Sequence, residues 1–84
     1  MTNESDNRAF SDSAIREVAA QILGVAASSL TDESSPETID QWDSLNHLQL
    51  ITAIEQRFDL TLPMAAVMEI QDMGSLSRIV QSHL

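Results

Sequence analysis

The sequence predicts an all-α fold: a small four-helix bundle, three longer helices and one short, with a long loop between helices one and two. Three observations lead there. Every periodic apolar stretch has the helical spacing of three and four residues, and none alternates over the length of a strand. Only two Gly and two Pro interrupt the 84 residues. With 43% hydrophobic residues, a chain of this length holds material for one compact core and not for a second.

The elements follow in order. Residues 1–10 are polar and unpatterned, so a flexible N-terminal tail is expected there and a helical domain over 11–84. From Ser11 or Ser13, either of which can cap, Ile15, Val18, Ala19, Ile22 and Leu23 share one helical face, and Gly24 is a natural stop. Residues 25–41 contain SSL and TDESSPET with few periodic apolars, and read as the long loop. Val25, Leu30 and Ile39 are the residues available to pin it to the core. So long a connection in so small a domain signals either function or an overlooked element, and a short turn over 37–39 is the candidate.

The second long helix runs from Ser44 to about Phe58 and is stopped by DLTLP, where Pro63 disfavours helix at Leu62. Residues 64–70 make a helix of about two turns. After a turn at 71–74, Ser75 is expected to open the last helix, with Leu76, Ile79 and Val80 facing inward. Along helix two, steps of 100° place His47, Leu50, Ile51, Ile54 and Phe58 on the core arc. Leu45 and Leu48 turn away from that arc beside Gln49, Thr52, Glu55 and Gln56. These exposed positions, Leu45, Leu48, Gln49, Thr52 and Glu55, are the candidate contact for a protein partner.

Charge narrows the function. Thirteen acidic residues stand against four Arg and no Lys, a formal charge of −9. Binding to nucleic acid or to an anionic membrane rests on a basic footprint, which is missing, so a basic protein partner is the natural complement. The absence of Cys removes disulfides and thiolate zinc sites and leaves the chain without a thiol. The polar start MTNESDNRAF is no signal peptide and no apolar run reaches membrane-spanning length, so a cytoplasmic monomer is expected.

The stretch DQWDSLNHLQLI, residues 40–51, holds the chemistry. Asp43 or Ser44 can cap the helix, which is the plain structural reading. A helix N-terminus also offers unpaired N–H groups and a partial positive charge, which suits Ser44 as the carrier of a phosphate ester. Asp43, Ser44 and His47 also suggest a hydrolase, but Asp43 is adjacent to Ser44 and would have to reach around it to orient His47, and no Gly-rich turn supplies an oxyanion hole. His47 and His83 are too far apart, with no second ligand at helical spacing, to suggest a metal site. His47 is placed at the edge of the core or the mouth of a pocket, and Trp42 packs the loop on helix two or touches a ligand or partner. Met64, Val67, Met68 and Met73 suit the adaptable wall of an apolar binding cavity and the core of a small domain equally well.

The whole run DSLNHLQLITAIEQRFDLTLP, with the short helix, Met73-Gly74 and the last helix behind it, resembles the acyl carrier proteins and the peptidyl carrier domains built on the same plan. The resemblance extends from about Ile15 to Leu84 and includes the Leu23-Gly24-Val25 ending of helix one. It implies that Ser44 carries phosphopantetheine, transferred from coenzyme A by a phosphopantetheinyl transferase, with Asp43 and Leu45 as the motif's flanks. It further implies that the chain catalyses nothing itself. Acyl or aminoacyl groups would ride on the borrowed thiol as thioesters, loaded by a ligase and consumed by synthases or transferases docked on helix two. Many fatty-acid carriers have acidic residues along helix two and at the start of helix three, where this sequence has Asn46, Gln49, Gln56, Arg57, Met64, Ala65 and Ala66. The departure points to a specialised polyketide, peptide, lipid or surface-polysaccharide pathway. The competing expectation is an acidic helical interaction module that carries no prosthetic group.

Overall fold

The computed structural model describes the backbone of residues 4–84 and side chains from residue 11 onward. Four α-helices, α1 (Glu4–Leu23), α2 (Ser44–Phe58), α3 (Met64–Glu69) and α4 (Met73–Ser82), account for the regular structure, and no strand occurs among the described residues. Helix α1 packs against both α2 and α4. Ile15, Ala19 and Leu23 of α1, Leu50 and Ile54 of α2, and Met73, Leu76 and Val80 of α4 are all within 1% of complete burial and form the centre of the core.

Helix α1 starts at Glu4, seven residues before the expected cap at Ser11. The boundary drawn at residue 10 is therefore not a break in the helix. Residues 4–10 contain neither Gly nor Pro, so nothing in the backbone stops a helix anchored further along from extending back through them. Residues 1–3 of the expected tail lie outside the described residues. At the other end Gly24 adopts φ +69 and its N–H donates to Ala20 O at 2.8 Å, the left-handed stop the sequence suggested.

The α1–α2 loop is tethered throughout its length, which explains how it can be so long. A 3₁₀ turn at Ala27–Ser29 was not anticipated. The expected turn before Ile39 is present, where the N–H groups of Thr38 and Ile39 both donate to Ser35 O at 3.0 and 2.9 Å. Leu30 is buried, and Val25 and Ile39 pack against the core, as the sequence suggested. Two further bonds reach across the chain: Met73 N–H donates to Ser34 O at 2.8 Å and Gly74 N–H to Asp32 O at 2.9 Å. The approach is close enough that a Cβ on residue 74 would lie 3.2 Å from Asp32 O, so Gly74 is what lets the loop sit on the start of α4.

Arg16 makes the second tether. Its Nε donates to Asp12 at 2.9 Å, one terminal N–H group to Leu30 O at 2.9 Å and the other to the Asp32 carboxylate. Asp12 also accepts from the buried Ser77 hydroxyl, joining α1 to α4. Partial burial would raise the Asp12 pKa, but the Ser77 hydrogen bond and the Arg16 guanidinium outweigh it and hold the carboxyl below its ordinary 3.8.

Helix α2 runs over the residues read from its periodicity, with Leu50, Ile51 and Ile54 buried. His47 and Phe58, placed on the same arc, are only half-buried at its two ends. Asp59, in the left-handed region at φ 53, ends the helix. The Glu55 carboxylate then accepts from Leu62 N–H at 2.8 Å, fixing the extended run into α3. Helix α4 begins at Met73 and not at Ser75: Asp72 caps it by accepting from Ser75 N–H at 2.7 Å, while the Ser75 hydroxyl accepts from Asp72 N–H at 3.0 Å. Asp and Ser are comparable N-caps, and here Ser75 occupies the third helical position of a reciprocal capping box. The hydrogen bond from Ser75 N–H is the main cause that holds the Asp72 carboxyl below its ordinary pKa.

Candidate functional site

Ser44 is the first residue of α2 and is exposed. Asp43 before it has an extended backbone, and its Oδ1 accepts from Asn46 N–H at 2.8 Å, so the capping role falls on Asp43. That leaves the Ser44 side chain free of the capping task. The N–H groups of Ser44 and Leu45, in the first turn, have no intrahelical acceptor by construction. The loop is fastened here by Asn46 Nδ2, which donates to Gln41 O at 2.7 Å.

Trp42, the only Trp, is 2% exposed and lies under this turn. Its Nε1–H donates to His47 Nδ1 at 3.0 Å, and the two rings lie edge to edge with centroids 6.3 Å apart and planes 22° from parallel. The packing reading of Trp42 holds, with a hydrogen bond to His47 that spacing alone did not reveal. With Nδ1 accepting, the proton of the neutral imidazole sits on Nε2.

Ser44 opens onto a groove of about 650 Å³. Pro36 and Trp42 of the loop, His47 and Leu48 of α2, and Met64, Val67, Met68 and Ile70 of the α3 region line it together with Asp43 and Ser44. The four residues expected to form either a cavity wall or core divide between the two. Met73 is buried in the core and Val67, though buried, also lines the groove, whereas Met64 and Met68 are 66% and 76% exposed there. Pro36 and Ile70 were missed as lining residues, since no local pattern connects a loop proline to the far end of α3.

The outer face of α2 presents Leu45, 65% exposed, and Leu48, 54% exposed. Gln49 and Thr52 are exposed beside them. Leu48, Gln49 and Thr52 border a shallow hollow of about 290 Å³ with Ala53 and Gln56. Glu55, expected on the same contact face, is half-buried, and its carboxylate is committed to Leu62 N–H. The face is thus apolar and amide-bearing, while exposed acids crowd the loop at Asp32, Glu33, Glu37 and Asp40.

The site is not built for hydrolysis by a Ser-His-Asp relay. Asp43 caps the helix, and the nitrogen of His47 that such a relay would orient is bonded to Trp42. His83 lies at the end of α4, its Nδ1 beside Ile79 O at 2.9 Å. Among the described residues no group of His, Asp and Glu side chains could hold a metal ion, and no helix is long and apolar enough to cross a membrane.

Residues 13–80 match the family described as the phosphopantetheine attachment site. The chain belongs to the acyl carrier protein family. The carrier's fold is similar to that of a holo acyl carrier protein from Geobacter metallireducens, with a TM-score of 0.78 and 26% identity over 87% of this chain and 84% of that one. It is also similar to the A1-type ACP domain from module 5 of MLSA1, with a TM-score of 0.75 and 20% identity over 99% of this chain and 83% of that one. No curated protein matches the sequence. Carriers of this family are not catalysts; they bear covalent phosphopantetheine, installed by a phosphopantetheinyl transferase, and serve partner synthase enzymes. The groove mouth fits that group: an exposed hydroxyl at a helix N-terminus, first-turn N–H groups for an anion, and an apolar channel leading away.

Proposed function

We propose that Ser44 is the attachment residue and that the chain presents acyl or aminoacyl thioesters to docked enzymes. The observation that carries this reading is the exposed Ser44 hydroxyl at the first position of α2, opening onto the groove while Asp43 does the capping. In the transfer, Ser44 Oγ forms a bond to the phosphorus bearing the pantetheine, the pyrophosphate bond of coenzyme A breaks, the nucleotide half leaves, and the transferase takes the hydroxyl proton. The arm supplies the thiol that this cysteine-free chain lacks.

The chain's own residues hold and present that attachment. Asp43 fixes the first turn of α2 and so the direction of Ser44. Leu45, Leu48, Gln49 and Thr52 offer the docking face for the transferase, for an acyl- or aminoacyl-loading ligase and for a downstream synthase or transferase. Glu55 is dropped from that set because its carboxylate is already bonded. The lack of acids on this face supports a specialised polyketide, peptide, lipid or surface-polysaccharide pathway over housekeeping fatty-acid synthesis. The carrier acts as a cytoplasmic monomer in this reading.

The test is one mass spectrum. Co-expression with a broad-specificity phosphopantetheinyl transferase adds a single arm to the wild type and none to Ser44→Ala. A wild type that stays unmodified sinks the attachment reading and leaves an acidic interaction module in its place.

A further inference from the structure

We propose that His47 is a positioning residue for the arm: its Nε2–H, held in place by Trp42, donates to the phosphodiester that joins the arm to Ser44. The inference rests on the reading that Ser44 is the attachment residue. It starts from the Trp42–His47 hydrogen bond, which the carrier function as described leaves without a role.

An indole N–H can only donate, so at 3.0 Å from Trp42 Nε1 the Nδ1 atom of His47 must accept. The neutral ring then carries its proton on Nε2. Trp42 is 2% exposed, whereas His47 is half-buried and lines the groove into which Ser44 opens. The Nδ1 edge is therefore spent on the indole, and among the described residues no hydrogen bond takes the Nε2 edge of this groove-lining ring. Side chains on a helix lean toward its N-terminus, and residues three apart share a face. An imidazole at position 47 of α2 consequently lies over the turn that Ser44 begins.

The composition of the groove makes this donor distinctive. Once Ser44 is esterified its hydroxyl proton is gone, and the Trp42 N–H is spent on His47. Every other lining side chain is apolar or, in Asp43, acidic and already accepting from Asn46. Among the described residues no Arg lines the groove either. Among the described residues His47 Nε2–H is thus the one side-chain donor left there for an anionic phosphodiester. Trp42 selects it, because a ring protonated on Nδ1 would set donor against donor.

The proposal is testable by nuclear magnetic resonance on the full chain. In the unmodified protein, long-range proton–nitrogen spectra of His47 should show a single neutral tautomer protonated on Nε2; protonation on Nδ1 overturns the proposal. After loading with phosphopantetheine, the Nε2–H resonance should move downfield and exchange with solvent at least tenfold more slowly, a measurement that needs no variant. The phosphorus resonance of the arm should be displaced in His47→Leu and return toward the wild-type position in His47→Gln, whose amide restores a donor. Trp42→Phe keeps an aromatic ring at the position but loses the indole N–H, and should convert His47 to a mixture of tautomers. Identical phosphorus shifts in wild type, His47→Leu and His47→Gln, with each variant folded by circular dichroism, refute the proposal. Failure of the attachment reading looks different: no added mass and no phosphorus signal, with the tautomer of the unmodified protein unaffected.

Discussion

Leu48 and Leu50 lie two residues apart on α2, yet truncating each to alanine should have opposite consequences. Leu50 is fully buried and Leu48 is 54% exposed. Removing a buried leucine side chain costs about 2 to 5 kcal/mol, the lost transfer energy plus the cavity left behind. Unfolding entropies near 2.1 cal/mol/K per residue give about 0.18 kcal/mol/K for 84 residues. A mid-range loss of about 3 kcal/mol then lowers Tm by about 17 °C. For Leu48→Ala the expected change stays within about 0.5 kcal/mol, or about 3 °C. Far-UV circular dichroism melts of the two variants beside wild type make the comparison. Leu48→Ala should nevertheless lower kcat/KM for arm transfer about fivefold or more, as truncation of an interface anchor does. Equal melting temperatures for the two variants would refute the assignment of α2's faces. A stable Leu48→Ala loaded at the wild-type rate would remove Leu48 from the docking surface.

Four further outcomes follow from the geometry. Phe58→Ala should cost less than Leu50→Ala in the same melts, because Phe58 is only half-buried. Gly24→Ala should lose about 1 kcal/mol in a denaturant titration: nothing crowds the new Cβ, but φ +69 strains it. Gly74→Ala should fail to gain the roughly 1 kcal/mol that alanine usually brings to a helix, since its Cβ would press on Asp32 O. The Asp12 pKa is depressed on folding, so its contribution to stability is present above the unfolded value near 4 and is lost as pH falls through the folded value. Asp12→Asn should therefore lower stability at neutral pH and flatten its decline below about pH 4, as read from melts across that range.

What the sequence disclosed was what local spacing encodes. The period of α2, the Gly24 stop and the outward turn of Leu45 and Leu48 are all statements about residues within two turns of one another. The beginning of α1 was hidden because residues 4–10 carry no apolar period, and continuing an existing helix needs none. Ser75 reads as a cap because serine often is one, while the residue that caps the helix, Asp72, lies in a segment with turn composition. The groove was harder still. Pro36, Trp42, His47 and Met68 meet only through tertiary packing, so their individual roles were open until the loop was placed. The bond that occupies the Glu55 carboxylate was hidden for the same reason, its partner being the Leu62 backbone across a turn.

The bonds from Met73 and Gly74 to the carbonyls of Ser34 and Asp32 tie the fate of the loop to that of the last helix. Two amides at the start of α4 that water would otherwise reach are occupied by loop backbone. Opening the loop therefore exposes them, and α4 cannot fray from its N-terminus while the loop stays closed. The two segments should behave as one cooperative unit in native-state hydrogen exchange, the Met73 and Gly74 amides exchanging with the same opening free energy as the loop's own protected amides. A partner that pulled the loop aside would loosen the start of α4 in the same motion.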